Sequence, residues 1–333
     1  MVRGLAIILT ISSILYSCSE KKKTLDEAAS NASEKPFDSF IFVGMINRNP
    51  GVYKYDVKEK KYSVFWSDKK EKVIELSYSN NRETAFFLTA REFSNLSESG
   101  LPFINKVNLY LVNIKTRQIS FIGDVGSGLQ VFSNWEDNNT FKIIFNSIDK
   151  TISNYIQQRT RLYNTFGKKL QDITETYDIT KQGYPLPAEQ KVRAVSSDGR
   201  YSIINYGKDS PSIYLRDSEG GEQYLITKTK KKLEQVEWRN GHLFFLTANP
   251  GNGEKSRVST LFLYSIDKKK ILITWEEGVK SFFIVNDYLI FDTGFKENYS
   301  INIYNYAAGS TYDKINIKDG CGIRGLPREI RWN

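Results

Sequence analysis

The sequence predicts an all-β fold: a six-bladed β-propeller, its ring closed by a C-terminal strand joining the N-terminal blade. Two observations carry this expectation. First, a hairpin of apolar–aromatic strand, polar turn and second apolar strand recurs along the chain. Its clearest copies are VYKYDVKEKKYSVFW from Val52, LYLVNIKTRQISFI from Leu109, IYLRDSEGGEQYLI from Ile213 and LFLYSIDKKKILITW from Leu261. Second, an apolar strand, a tight Asn/Asp/Gly turn and a strongly apolar strand interleave with it. Examples are Leu76–Asn81 into Thr84–Leu88, Ala194–Arg200 into Tyr201–Ile204, Val236–Gly241 into His242–Leu246, and Phe283–Asp287 into Tyr288–Phe291. Hairpins repeating near this interval mark toroids of small sheets.

Each blade then reads strand A, Asx/Gly turn, strand B, connection, strand C, polar turn, strand D. The turn residues supply the positive φ that two-residue hairpins demand, and the β-branched and aromatic flanks suit buried strands. Complete blades are expected at 74–123, 129–174, 192–227, 234–275 and 279–317. The second of these is the weakest, because its strand C, within Arg159–Thr165, lacks apolar alternation. Phe40–Met45, Val52–Val57 and Tyr62–Trp66 supply strands B, C and D of a first blade without an A. Arg328–Trp332 echoes Glu234–Trp238 and is the expected donor of that missing strand. Closure of this kind removes an exposed edge.

The N-terminus has the layout of an export signal: Met1-Val2-Arg3, then an apolar stretch from Leu5 to Leu15 that is too short to span a bilayer. Leu15-Tyr16-Ser17-Cys18, followed by polar Ser19-Glu20-Lys21, resembles the lipobox of bacterial lipoproteins, although Tyr16 departs from the usual small or apolar residue. The resemblance implies cleavage before Cys18, lipidation of its thiol with acyl chains such as palmitate, and attachment to the lipid bilayer of the cell envelope. Ser19 in place of Asp favours the outer membrane. The alternative is an ordinary cleaved signal with a chance cysteine. The expected organisation is signal peptide 1–17, flexible tether 18–36 and propeller 37–333. With Cys18 acylated, Cys321 has no disulfide partner and reads as an inert thiol in a turn.

The turn-anchored unit Val195-Ser196-Ser197-Asp198-Gly199-Arg200-Tyr201 resembles the repeat of TolB-like propellers and of the propeller domains of prolyl oligopeptidases. That resemblance implies an exported propeller that holds other proteins or ligands. It carries over no peptidase activity, since no peptidase domain follows the repeats.

Composition narrows the chemistry. Net charge is +9, but the basic residues lie in short runs between strands, such as Lys58–Lys61, Lys228–Lys232 and Lys268–Lys270. Export and the absence of a recognition motif argue against nucleic acid as a partner. His242 is the only histidine, so zinc sites of the usual kinds and a Ser-His-Asp triad lack their parts. No metal, cofactor or catalytic residue is assigned. Glu92, Asp172, Glu175 and Asp178 are the carboxylates that a glycosidase would need.

In a propeller the B–C and D–A connections share one rim. The long insertions, Arg91–Val107, Asn146–Gln158, Thr174–Lys191 and Asn249–Ser259, all fall there. Long loops are commonly functional. This rim gathers Arg91, Glu92, Phe93, Phe103, Tyr155, Tyr177, Tyr184 and Arg257, a set suited to stacking on a peptide or a sugar. The plainer reading is that these aromatics pack loops onto blades. The expected function is non-catalytic binding of an envelope protein or peptide. The alternative is a polysaccharide-binding propeller or a carboxylate glycoside hydrolase, with a glycan as ligand.

Overall fold

The computed structural model describes residues 38–91, 93–95, 102–148, 155–182, 195–206, 212–248, 259–276, 278–294 and 299–326. A compact unit begins at Ser39. It is all-β, and among the described residues six antiparallel sheets follow one another along the chain.

The first sheet holds β1 (Ser39–Ile46), β2 (Asn49–Asp56) and β3 (Lys61–Ser67). The second holds β4 (Lys72–Tyr78), β5 (Thr84–Ala90), the short β6 (Phe93–Asn95), β7 (Pro102–Asn113) and β8 (Gln118–Gly128). The third comprises β9 (Gln130–Trp135), β10 (Thr140–Ile148), β11 (Tyr155–Asn164) and β12 (Lys169–Asp178), and a single helical turn, α1 (Ile179–Gln182), follows it. In the fourth are β13 (Tyr201–Tyr206), β14 (Ser212–Asp217) and β15 (Gln223–Lys228), with Val195 bridged to Ser202 where an inner strand was expected. The fifth runs β16 (Lys232–Arg239), β17 (His242–Ala248), β18 (Ser259–Ser265), β19 (Lys270–Trp275). The sixth runs β20 (Ser281–Val285), β21 (Tyr288–Thr293), β22 (Tyr299–Asn305), β23 (Ser310–Ile317). A last two-residue strand, β24 (Cys321–Gly322), returns to pair with β1.

The turns form for local reasons. Ser79 Oγ donates to Asn81 Oδ1 and accepts from Thr84 N, and Ser196 Oγ repeats this with Asp198 and Tyr201 N. Asn240 and Gly241, at φ 45° and 69°, are the two left-handed residues that a two-residue hairpin requires.

Packing follows from the second strand of each sheet. The TAFFLTA run of β5 is apolar almost throughout because both of its faces are covered. Ala85 and Phe87 pack with Ile41, Val43 and Val52 of the first sheet, whereas Phe86 and Leu88 pack with Trp135, Phe141 and Ile143 of the third. In β17, Leu243 and Phe245 meet Ile203, Ile213 and Leu215 of the fourth sheet, while Phe244 and Leu246 meet Phe282, Leu289 and Phe291 of the sixth. Alternate residues therefore serve alternate neighbours.

The sixth sheet also touches the first. The Tyr55 hydroxyl donates to Asp313, Tyr312 OH donates to Val57 O at 3.0 Å, and the Phe40 and Phe283 rings lie 5.9 Å apart.

The described partner of β1 is β24, with Val43 opposite Gly322 and Gly44 opposite Cys321. The donor expected at 328–332 lies outside the described residues. Cys321 is thus in a strand and not in a turn, and it is 2% exposed. Burial, reinforced by Asp292, raises its thiol pKa. This segment lacks a β-strand signature because a side chain holds it: buried Asp292 accepts from Ile323 N at 2.9 Å and Ser281 N at 2.8 Å. Met45 N donates to Gly320 O at 2.9 Å and Leu76 N to Arg324 O at 2.5 Å, so the segment ties β1 to β4.

A Cβ at position 322 would lie 2.2 Å from Gly325 O and 3.1 Å from Asp292 Oδ2. Gly322→Ala is therefore expected to cost about 1–3 kcal/mol, the usual range for overpacking, read as a lower urea midpoint with an unchanged m-value.

Candidate functional site

The ends of β5, β8, β10 and β12 define one rim, because β5 and β8 run parallel on either side of β7 and the third sheet repeats the pattern. The second and third sheets meet there directly. Leu129 N donates to Asn146 O at 2.7 Å, Gly126 faces the Phe145 ring, and Arg161 donates to Val125 O. The turns at the other ends of the strands are short: 79–83, 114–117, 136–139, 165–168, 218–222, 240–241, 266–269, 286–287 and 306–309.

Five of the eight sequence-selected residues are described. Arg91 is exposed just beyond β5. Phe93 lies opposite Ile104, and Phe103 opposite Ser94, so the two rings leave opposite faces of the β6–β7 ribbon. Tyr155 lies opposite Asp178 and Tyr177 opposite Ile156, which separates those rings in the same way. The Tyr177 hydroxyl donates to Glu175 at 2.7 Å, and this contact raises its pKa. Arg91, Phe93 and Phe103 thus occupy one corner of the second sheet, and Tyr155 and Tyr177 one end of the third. Glu92, Tyr184 and Arg257 lie outside the described residues.

Two insertions are shorter than the sequence indicates. β10 and β11 extend to Ile148 and back to Tyr155, and β12 runs on to Asp178. Ion pairing supports this polar ribbon where apolar alternation fails. Asp172 accepts from Arg159 Nε at 2.7 Å, Arg161 Nε at 3.1 Å and Lys169 Nζ at 3.0 Å. Hydrogen bonding from Arg159 leads in holding its carboxyl well below the usual range, and Thr180 lowers that of Asp178. A general acid needs the opposite shift.

The structure adds residues that the sequence hid. Glu71, inside a lysine run, is 7% exposed. It accepts from Thr89 Oγ1 at 2.5 Å, Asn108 Nδ2 at 2.9 Å and Tyr110 OH at 3.3 Å, fixing the rim end of β4. Burial, then Glu71, pushes the Tyr110 hydroxyl up to about 12. Beside Glu71, the Lys72 ammonium sits 6.0 Å from the Phe93 ring centre.

Toward the short turns, residues from four sheets converge. Arg82, in the turn after β4, reaches Glu237 of β16 at 3.4 Å and stacks 4.7 Å over the Phe283 ring of β20. Phe283 packs against Tyr78 at 5.5 Å, and the Tyr78 hydroxyl donates to Ile41 O at 2.6 Å and accepts from Ile41 N at 2.9 Å. Gln235 Nε2 donates to Phe282 O at 2.6 Å. These side chains serve backbone groups of Ile41 and Phe282, for which no strand partner on that edge is seen among the described residues. His242 is satisfied by Asn240 O at 2.8 Å. Among the described residues, no three His, Cys, Asp or Glu side chains gather as a metal site would need.

No protein-family model matches the chain, and neither does any of the curated proteins compared. Solved structures similar to it include TolB from Acinetobacter baumannii, at 12% identity over 88% of this chain and 67% of that one, with TM-score 0.44. An acylaminoacyl peptidase from Pyrococcus horikoshii is 10% identical over 84% of this chain and 50% of its own, with TM-score 0.47. The β-propeller domain of a Trilobed protease from Pyrococcus furiosus is 8% identical over 84% and 77%, with TM-score 0.37. The chain thus spans about half the length of the peptidase and two thirds of TolB.

Burial, opposed by Arg82 and Arg324, raises the Glu237 carboxyl pKa. A carboxyl raised on folding adds stability below its unfolded value, and that contribution is lost as pH rises through the folded value. Glu237→Gln should therefore flatten the decline in stability as pH increases from about 4.3, the unperturbed glutamate value. Urea midpoints measured across that range read the difference between variant and parent.

Proposed function

We propose that the six sheets are blades of one closed β-propeller, lipid-anchored through Cys18 in the bacterial envelope, that binds a protein or peptide partner without catalysis. The partner docks on the rim carrying Arg91, Phe93, Phe103, Tyr155 and Tyr177, together with Glu92, Tyr184 and Arg257.

One observation carries this reading. Arg82 of the second sheet meets Glu237 of the fifth, a contact that supports a ring because those two sheets stand opposite each other when six blades close. Phe283 of the sixth sheet stacks on Arg82, so three sheets meet in this one contact toward the short turns. The chain also enters at Ser39, at the short-turn end of β1. Rim aromatics beside arginine and lysine suit a partner with its own rings or carboxylates.

In the glycosidase alternative Asp172 and Asp178, whose carboxyls are both pushed down, suit the base or nucleophile and not the acid. Glycan binding without hydrolysis stays in the test.

Affinity capture from detergent-solubilised envelope, run beside a glycan array, decides between the readings. The triple variant Arg91→Ala, Phe93→Ala, Phe103→Ala is expected to lose about tenfold or more in partner affinity, as truncated anchor residues do. Lys115→Glu, on the short-turn side, should leave affinity unchanged. Glycan binding with no co-purifying protein would overturn the protein-partner reading. Cys18→Ser should move the chain from the membrane to the soluble fraction, and persistence in the membrane would remove the lipid anchor.

A further inference from the structure

We propose that β12 is the surface through which two copies of this chain associate, pairing edge to edge about a two-fold axis that passes through Ile173. The inference is independent of the ligand assigned to the rim.

β12 is the outermost strand of the third sheet, and every residue from Lys169 to Thr176 is exposed. Leu170 and Ile173 are 48% and 41% exposed, and Phe166 in the preceding turn is 89% exposed. A strand edge of this kind presents unpaired N–H and C=O groups to any second strand. Proteins commonly blunt such edges with proline, lysine or a bulge. The one lysine of β12, Lys169, stands at its turn end, and from Leu170 to Asp178 there is neither proline nor lysine. The only irregularity in its ladder with β11 lies by the turn, at Leu162/Tyr163, which leaves an unbroken run from Leu162–Gln171 to Tyr155–Asp178. By contrast, β8 pairs with β7 through three register shifts. Asp172, the charge nearest the middle, is already compensated by Arg159, Arg161 and Lys169.

Symmetry limits the registers available. Rungs of an antiparallel ladder alternate between hydrogen-bonded and non-hydrogen-bonded types. A two-fold axis between two rungs would make adjacent rungs identical, so the axis must pass through a residue and its own copy.

The side chains then choose among the central residues. Centring on Asp172 sets two carboxylates opposite each other. Centring on Thr174 sets Ile173 against Glu175, apolar against charged. Centring on Ile173 sets Ile173 against itself, Asp172 against Thr174 and Gln171 against Glu175, all within the stretch beyond the bulge at Leu170. Every one of these cross-strand pairs is apolar, hydrogen-bonding or charge-compatible, with no like charges opposed. The occupant that this edge fits is a second copy of the same strand, joined through an isologous contact.

Light scattering on the full chain in detergent, over a dilution series, tests the proposal together with two variants. The parent should fall from dimer to monomer on dilution, and Ile173→Lys should be monomeric throughout with an unchanged circular dichroism spectrum. Ile173→Cys should form a disulfide-linked dimer on mild oxidation, since facing Cα atoms about 4.5–5.5 Å apart lie within disulfide reach. Phe166→Cys, far from the axis, should cross-link much more slowly. A parent that is monomeric at every concentration, a dimer that survives Ile173→Lys, or equal cross-linking by the two cysteine variants would each overturn the proposal.

Discussion

The structure depends on one constraint: in the second and fifth sheets the strand after the Asx/Gly turn is buried on both faces, so it can be stable only between two other sheets. β5 and β17 show this directly, because neighbouring phenylalanines in each belong to different cores. Residues such as Phe86 and Phe87, both fully buried, would leave one ring in water if either flanking sheet were missing. The second and fifth sheets are therefore inner layers, each covered on both sides. The contacts between the first and sixth sheets, Phe40 on Phe283 and Tyr55 on Asp313, answer that requirement at the ends of the chain.

The same constraint explains where polar residues appear. Ile41 lies beyond the two-residue reach of β24 and Phe282 lies on the edge of its sheet, and side chains from neighbouring sheets supply their partners. Tyr78 serves both backbone groups of Ile41, and Gln235 serves Phe282. Arg82 and Glu237 add a charged contact in the same region, beside the Phe283 ring. A polar interior of this type limits how the sheets can slide, since a shift of one residue would strand several donors at once.

Much of the fold was legible in the sequence, because turns and doubly buried strands have strong local signatures. The Ser-x-Asn/Asp turns and the FFL runs of β5 and β17 could hardly be read otherwise. What escaped has a physical reason in each case. β24 is two residues long and is held by the Asp292 carboxylate, an interaction that no local pattern encodes. β11 and β12 replace apolar alternation with Arg159, Arg161 and Asp172, so their rim ends, 155–158 and 175–178, carry no strand pattern and read as loop. Glu71 looked like a solvated member of a lysine run, and only the folded arrangement brings Thr89, Asn108 and Tyr110 around it. Of the rim residues chosen from sequence, the corner at Phe93 was identifiable. Its neighbour Lys72 was not, because their proximity depends on β6 folding back along β7.

Cys321 sits inside the segment that ties the last sheet to the first, with almost none of its surface in contact with water. A thiol in that position reacts only when the seam parts. Its alkylation rate is thus an intrinsic clock for local opening at the junction of the two chain ends, separable from unfolding of the whole molecule.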